Sequence, residues 1–543
     1  MAKAKSKPIS PTNPQERIEE HPAFLLGKHP TKDVYLASYG QQFVMLAAPP
    51  GSMKGVSAVI PNLLSYPDSM VVNDPKFENW DITSGFRASA GHKVFRFSPE
   101  RLETHRWNPV SAISRDPLYR LGDIRTLARV LFVSDNPKNQ EWYNKAGNVF
   151  TSILLYLMET PAMPCTLPQT YEIGALGTGM GAWAQQVIEQ RSNGPDALSV
   201  ETLRELNGVL EASKNKSSGW STTVDIVRDV LSVYAEKTVA WAVSGDDIDF
   251  SKLREEKTTI YFSVTEGALK KYGPLMNLFF TQAIRLNSKV LPEQGGHCPD
   301  GTLRLKYQLA LLMDEFAIMG RMEIMETAPA LTRGAGLRFF LIFQGKDQIR
   351  AVYGEEAANG IMKAIHNEIV FAPGDIKLAE EYSKRLGNTT VRVQNQSFNK
   401  RDMNNRGQTD SYSEQARPLM LPQEINELPF DKQLIFVQGN RQTEPMKILA
   451  RKIIYFEEEV FKARQKLPPP PLPVGDASKI DALTVPVRTV EARVALSDDQ
   501  PLRVEQKQRW SPKQSEPQES GEAEDTAVDS RPAEAIKNAE TPL

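Results

Sequence analysis

The fold of this 543-residue chain turns on the stretch Phe43-Val44-Met45-Leu46-Ala47-Ala48-Pro49-Pro50-Gly51-Ser52-Met53-Lys54-Gly55-Val56. An apolar run of strand type leads into a small Pro/Gly/Ser loop, then a lysine, then helical spacing over 56–64. Strand, tight loop, lysine and helix form a layout that cradles phosphate groups. Set against G-x-x-x-x-G-K-[ST], the two glycines are here Ala48 and Met53, and Gly55 stands where a Mg²⁺-binding hydroxyl is common. Lys54, at the start of the helix, is placed to neutralise β- and γ-phosphates. If the Met53 position requires φ > 0, its Cβ costs about 1 kcal/mol. Taken alone, the stretch is equally compatible with an ordinary strand–helix turn.

A second stretch shifts that balance. The apolar run over 307–313 leads into Asp314-Glu315. An acidic pair ending a buried strand is the other half of an ATPase site: one carboxylate holds hydrated Mg²⁺, and the other orients or deprotonates the attacking water. Gln344 ends the next apolar run, 337–343. In a parallel sheet its place is beside the strand bearing Asp314. There its amide can bond a γ-phosphate or the water, or simply terminate a strand.

Further strands are expected at 69–73, 94–97, 258–264, 369–371 and 434–437, with a helix at 274–290. Short apolar strands alternating with helices predict an α/β fold with a mostly parallel sheet covered on both faces. Segments 118–132, 142–158, 182–190, 199–213 and 222–242 carry helical periodicity with almost no strand signal. They read as an all-helical domain inserted into the first. The expected map is an N-terminal arm (1–34), an α/β domain (35–114 and 246–465), the inserted domain (115–245) and a disordered tail (466–543). The tail opens on Pro468-Pro469-Pro470-Pro471 and has too little apolar surface to offset its ordering entropy.

Composition narrows the class. Hydrophobic residues at 40% and charged residues at 24% fit a soluble globular protein. The net charge of −2 gives no whole-chain support for tight, sequence-independent nucleic-acid binding, though it leaves room for a local basic lining. Two distant cysteines, Cys165 and Cys298, argue against a disulfide framework and fit a reducing compartment. The neighbours His297 and Cys298 have no second ligand pair nearby and read as a polar loop, not a metal site. No run approaches the roughly 18 apolar residues that span a bilayer, and the basic start has no apolar segment behind it. The chain reads as cytosolic.

Several stretches together resemble the TraG-like type IV coupling proteins. They are 48–56, Val59-Ile60-Pro61-Asn62-Leu63-Leu64, Asn73-Asp74-Pro75-Lys76-Phe77-Glu78-Asn79 and Arg106-Trp107-Asn108-Pro109. Met313-Asp314-Glu315-Phe316-Ala317-Ile318-Met319-Gly320, 336–344 and Leu386-Gly387-Asn388-Thr389-Thr390-Val391 complete the set, in the family's order across roughly 35–460. The resemblance implies a RecA-like P-loop ATPase using ATP and Mg²⁺, with an all-helical domain inserted between its nucleotide motifs. It implies a nucleotide loop of Gly51, Ser52, Met53, Lys54, Gly55 and Val56, with Lys54 as the Walker A lysine. Asp314 would hold Mg²⁺ through water, Glu315 would be the catalytic acid, and Gln344 the sensor. A trans-acting arginine is expected at a subunit boundary, with Arg333 and Arg338 as candidates.

The same resemblance implies a homo-hexamer that receives relaxase-bound DNA or effector proteins and works with the channel ATPases and inner-membrane components of a type IV secretion system. The helical insert would recognise the transferred substrate. Members normally begin with membrane-spanning helices, and none is read here. The expectation is a cytoplasmic chain associated through partners with the inner face of the bacterial inner membrane; a soluble variant, a separate anchoring partner and a truncated chain all fit the missing segment. Gly55 agrees with many members, whereas Met53 departs from the usual loop glycine. That departure motivates an alternative, a substrate-recruitment platform with a weakened nucleotide site.

Overall fold

The strands buried on both faces are short, almost uninterrupted apolar runs, and they order the molecule. The computed structural model describes residues 22–134, 136–215, 219–398, 408–439 and 444–487. In chain order the strands are β1 (Phe24–Lys28), β2 (Tyr35–Ser38), β3 (Val44–Ala47), β4 (Ser69–Pro75), β5 (Lys93–Phe97), β6 (Thr258–Val264) and β7 (Leu309–Met313). They continue with β8 (Leu337–Phe343), β9 (Asn367–Val370), β10 (Asn388–Phe398), β11 (Gln408–Pro418), β12 (Lys432–Val437) and β13 (Met446–Arg451). Eleven of them form one sheet in the order β2-β1-β13-β12-β9-β3-β8-β7-β4-β6-β5. From β9 to β5 every pairing is parallel; from β9 outward through β12, β13, β1 and β2 it is antiparallel.

Register follows the alternation of side chains. Leu46 sits opposite both Ile342 of β8 and Ile369 of β9. Val44, Leu46, Leu312, Phe340 and Ile342 pack on one face with Val59, Leu63 and Trp80. Met45, Ala47, Leu311, Met313, Phe339 and Leu341 pack on the other. A slip of one residue would exchange the two sets, so burial on both faces fixes the pairing.

The helices cover these faces. A five-residue turn of π-helix, Gly55–Val59, runs into α1 (Ile60–Leu63), and α2 (Glu78–Ser89) follows β4. Between β5 and β6 come only helices among the described residues: α3 (Pro117–Leu131), α4 (Gln140–Met158), α5 (Leu167–Gly174), α6 (Met180–Arg191), α7 (Val200–Lys214), α8 (Trp220–Leu231) and α9 (Lys237–Ala242). Asp116, Thr166 and Ser199 each accept a backbone N–H at the start of α3, α5 and α7, which satisfies donors a helix leaves unpaired. The single helix expected over 222–242 is broken at the 3-10 turn Ser232–Ala235. The body then adds α10 (Gly273–Ser288), α11 (Glu323–Leu331), α12 (Lys346–Tyr353), α13 (Glu355–Lys363), α14 (Ile376–Leu386), α15 (Pro422–Asn426) and α16 (Glu459–Arg464).

Insert and sheet share one hydrophobic core. Its junction is aromatic: the Trp107 ring lies 4.9 Å from Phe279, 5.7 Å from Phe250 and 5.6 Å from Phe97. The Arg-Trp-Asn-Pro stretch is thus the packed entry to the insert. Asn108 caps the turn Pro109–Ala112 and donates to the Cys165 carbonyl.

Two boundaries and one element differ from expectation. The arm assigned to 1–34 contains β1, whose Leu25 exchanges hydrogen bonds with the Asn62 side chain at 2.8 and 3.0 Å. Phe24 also stacks on Tyr66 at 5.1 Å; residues 1–21 lie outside the described residues. The tail expected to be disordered from 466 is ordered to 487. Its backbone pairs with β5–insert residues (Thr104 N–H to Pro473, Gly475 N–H to Leu102), and Val485 exchanges two hydrogen bonds with Gln169. A Cβ on Gly85 would lie 2.2 Å from the Leu467 carbonyl, so the glycine makes room for this strap. Residues 488–543 lie outside the described residues. Third, β10 and β11 form a separate two-stranded ribbon where no strand was expected.

Candidate nucleotide site

The site is assembled at the carboxyl ends of three adjacent strands, β3, β8 and β7. The Ala48 N–H donates to the Phe343 carbonyl at 3.0 Å, pinning the start of the loop to the neighbouring strand. The loop then turns tightly. Ser52 donates both its N–H and its hydroxyl to the Pro49 carbonyl, the latter at 2.6 Å. Gly51 and Met53 have φ of 74° and 62°. The condition set by sequence is therefore met: a Cβ-bearing residue occupies a left-handed position. From Lys54 on, the backbone is helical, and Ser57 returns two hydrogen bonds to the Met53 carbonyl. Among the described residues, the N–H groups of Met53, Lys54 and Gly55 have no acceptor within the chain.

Lys54 Nζ contacts a Glu315 carboxylate oxygen and lies 3.2 Å from Asp314 Oδ1. The Gln344 amide donates to both Glu315 oxygens at 3.2 and 3.3 Å. Four residues singled out from sequence, on three strands, thus meet at one point. Asp314 is 6% exposed, and burial lifts its carboxyl above the ordinary aspartate range, with the Lys54 charge partly offsetting this. Burial opposes the charge on Lys54 as well, but the two carboxylates outweigh it and hold the ammonium above the usual lysine value. Glu315 sits at φ 55°, a strained backbone that turns its side chain toward the loop.

The neighbouring strand supports this arrangement. Asn73 of β4 donates to the Asp314 carbonyl at 2.5 Å. Asp74 accepts from the N–H groups of Asn79 and Trp80 and from the Ser263 hydroxyl, so it caps α2. Full burial pushes its carboxyl up to about 6 despite those donors.

The two arginine candidates are not brought to this point. Arg338 is fully buried, with donors spent on the carbonyls of Pro22, Ser38 and Gln42, and its guanidinium lies 4.2 Å from the Phe24 ring centroid. It locks β8 to the amino-terminal segment and is no free finger; an arginine inside a strand read as buried pointed to this role. Arg333 lies at the amino edge of the sheet, donating to the Ala364 carbonyl and packing over Phe43. One neighbour of the loop carries no sequence motif: Lys452, directly after β13, donates to the Ser52 carbonyl at 3.2 Å. His297 and Cys298 lie in a surface loop, and no metal-holding group of three ligands occurs among the described residues.

A lysine at a tight loop, an acidic pair and a glutamine at adjacent carboxyl ends of a mostly parallel sheet fit a RecA-like P-loop NTPase fold. Family-level comparison agrees. The Type IV secretory system Conjugative DNA transfer family matches residues 1–470, and the chain belongs to this coupling-protein family. It is 26% identical over 469 residues to the conjugal transfer protein TraG of Escherichia coli, covering 80% of this chain and 70% of that one. To the protein VirD4 of Agrobacterium fabrum it is 26% identical over 435 residues, spanning 79% of this chain and 61% of VirD4. Among solved structures, the conjugative coupling protein TrwBdeltaN70 superposes with a TM-score of 0.53 at 17% identity, over 78% of this chain and 87% of that one. TrwB in complex with ADP and Mg²⁺ gives 0.53 at 17% identity, over 76% and 86%. Among the described residues no helix is long and apolar enough to cross a membrane.

Proposed function

We propose that this chain is an ATP-hydrolysing coupling protein that receives relaxase-bound DNA or protein substrates and delivers them to a type IV secretion channel. The observation that carries this reading is the convergence of Lys54, Asp314, Glu315 and Gln344 at the ends of β3, β7 and β8. TrwB is described in complex with an ATP analogue and with ADP and Mg²⁺, which supports the same ligands here. The residues fit them. Unpaired N–H groups over Met53–Gly55 and the Lys54 ammonium suit phosphate oxygens. Asp314, a single hard oxygen donor, suits Mg²⁺ held mainly through water and phosphate. Bound Mg²⁺ would supply charge neutralisation at the β- and γ-oxygens.

In this reading Lys54 exchanges the Glu315 carboxylate for phosphate. Glu315 is then released to orient a water and accept its proton, with Gln344 holding the carboxylate in place. Arg333 would act across a subunit boundary in a homo-hexamer, and the helical insert would receive the cargo. Partners would include the channel ATPases and inner-membrane components.

Phosphate release by the purified protein, with and without DNA, tests the proposal. Lys54→Ala and Glu315→Gln should each abolish turnover, and Glu315→Gln should retain nucleotide. No nucleotide-dependent activity in the wild type, in any assembly state and with DNA present, would sink it. The left-handed Met53 favours a second reading, a recruitment platform whose nucleotide site is weakened. If Lys54→Ala stops substrate transfer, the platform reading fails.

A further inference from the structure

A buried lysine stands behind the phosphate loop. Lys452 is 7% exposed, its Nζ donates to the Ser52 carbonyl at 3.2 Å, and its ammonium lies 3.8 Å from the Phe371 ring centroid and 5.0 Å from that of Phe430. Other buried lysines are paired: Lys28 with Glu458 at 2.7 Å and Lys346 with Glu368 at 3.2 Å. Lys452 has no carboxylate within 4.0 Å among the described residues. The charged group facing it is Asp431, whose carbonyl takes the Lys452 N–H at 2.7 Å and whose field favours the ammonium. Burial outweighs that field and pushes the lysine down to about 8. A buried, unpaired cation is costly to a fold. Its retention beside a phosphate loop calls for a reason other than stability.

We propose that Lys452 is a positioning residue of the nucleotide loop, gripping the Ser52 carbonyl so that the Met53 N–H faces the phosphates. A trans peptide is planar, with its C=O and N–H pointing in opposite directions. Fixing the Ser52 oxygen outward therefore fixes the Met53 N–H inward. That peptide precedes the residue at φ 62°, where a side chain resists the conformation a glycine would adopt freely. The ammonium also polarises the peptide it holds, making the opposite N–H a stronger donor to an anion. The cation directly after β13 thus does for Met53 what glycine does elsewhere. The inference rests on the reading that this loop binds nucleotide.

The test uses the full chain, a fluorescent ATP analogue with Mg²⁺, and thermal unfolding without nucleotide. Lys452→Met keeps the volume and removes the charge. It should weaken nucleotide binding by about tenfold, the worth of one charge-assisted hydrogen bond, while raising the unfolding midpoint, because an uncompensated charge is gone. Wild-type affinity should fall as pH rises through about 8, where the ammonium loses its proton. That fall should be absent in Lys452→Met, and in Lys452→Arg affinity should be retained at pH 9.5. In a Met53→Gly background the Lys452→Met penalty should shrink. Lys452→Met that binds as tightly as wild type, while Lys54→Ala does not bind, overturns this inference alone. So does Lys452→Met that unfolds, or that loses midpoint and affinity together with an unchanged pH profile. A wild type that binds no nucleotide overturns this inference and the nucleotide reading together.

Discussion

At Met53 a side chain is held where the backbone favours glycine, φ 62°, at the turn that aims N–H groups into the loop. The cost is about 1 kcal/mol. Met53→Gly should therefore raise the unfolding midpoint and tighten nucleotide binding several-fold, read by thermal denaturation and analogue titration; a lower midpoint would show that the Met53 side chain contributes packing that outweighs the strain. The convergence of the other candidate residues was legible because each follows an apolar run: Lys54 after β3, Asp314 and Glu315 after β7, Gln344 after β8. Strand-terminal position is a pattern in the sequence. Arg338 was misjudged because its buried role depends on carbonyls some 300 residues away, at Ser38 and Gln42. Lys452 was missed for the same reason, since a lysine following a strand has no spacing that announces the loop it touches.

At the scale of elements, the parallel strands were readable because burial on both faces demands continuous apolar runs. The antiparallel flank was less so. β1 is a short apolar segment between polar ones, and its place depends on Asn62 and Arg338, which no local pattern reveals. The ribbon of β10 and β11 was unreadable, because among the described residues Asn388–Phe398 pairs only with Gln408–Pro418 and its run is dominated by polar residues. The insert announced itself by helical periodicity, but its attachment did not. That attachment is the aromatic junction around α10, where Phe279 is fully buried and touches Trp107, Phe250, Phe97 and Phe262. Phe279→Ala should cost about 3–5 kcal/mol in chemical denaturation. A cost below about 1 kcal/mol would mean that insert and body are not joined through this cluster.

For the whole molecule, one core runs from the sheet into the insert, so the described residues should unfold together. Calorimetry should show one cooperative transition for this unit, and an insert melting separately from the sheet would contradict a shared core. The sheet order carries a further consequence, for the ribosome. Strand β3, which leads into the candidate phosphate loop, is flanked by β8 and β9, and Val44 pairs with Phe340. The sequence separation of 296 residues takes about 15 to 60 seconds to synthesise. Throughout that interval the loop's strand has neither neighbour, and the carboxylates that Lys54 contacts arrive only after β7. A prematurely terminated chain thus carries Lys54 without Asp314, Glu315 and Gln344, and on the proposed reading nucleotide affinity would certify that translation has passed at least Gln344.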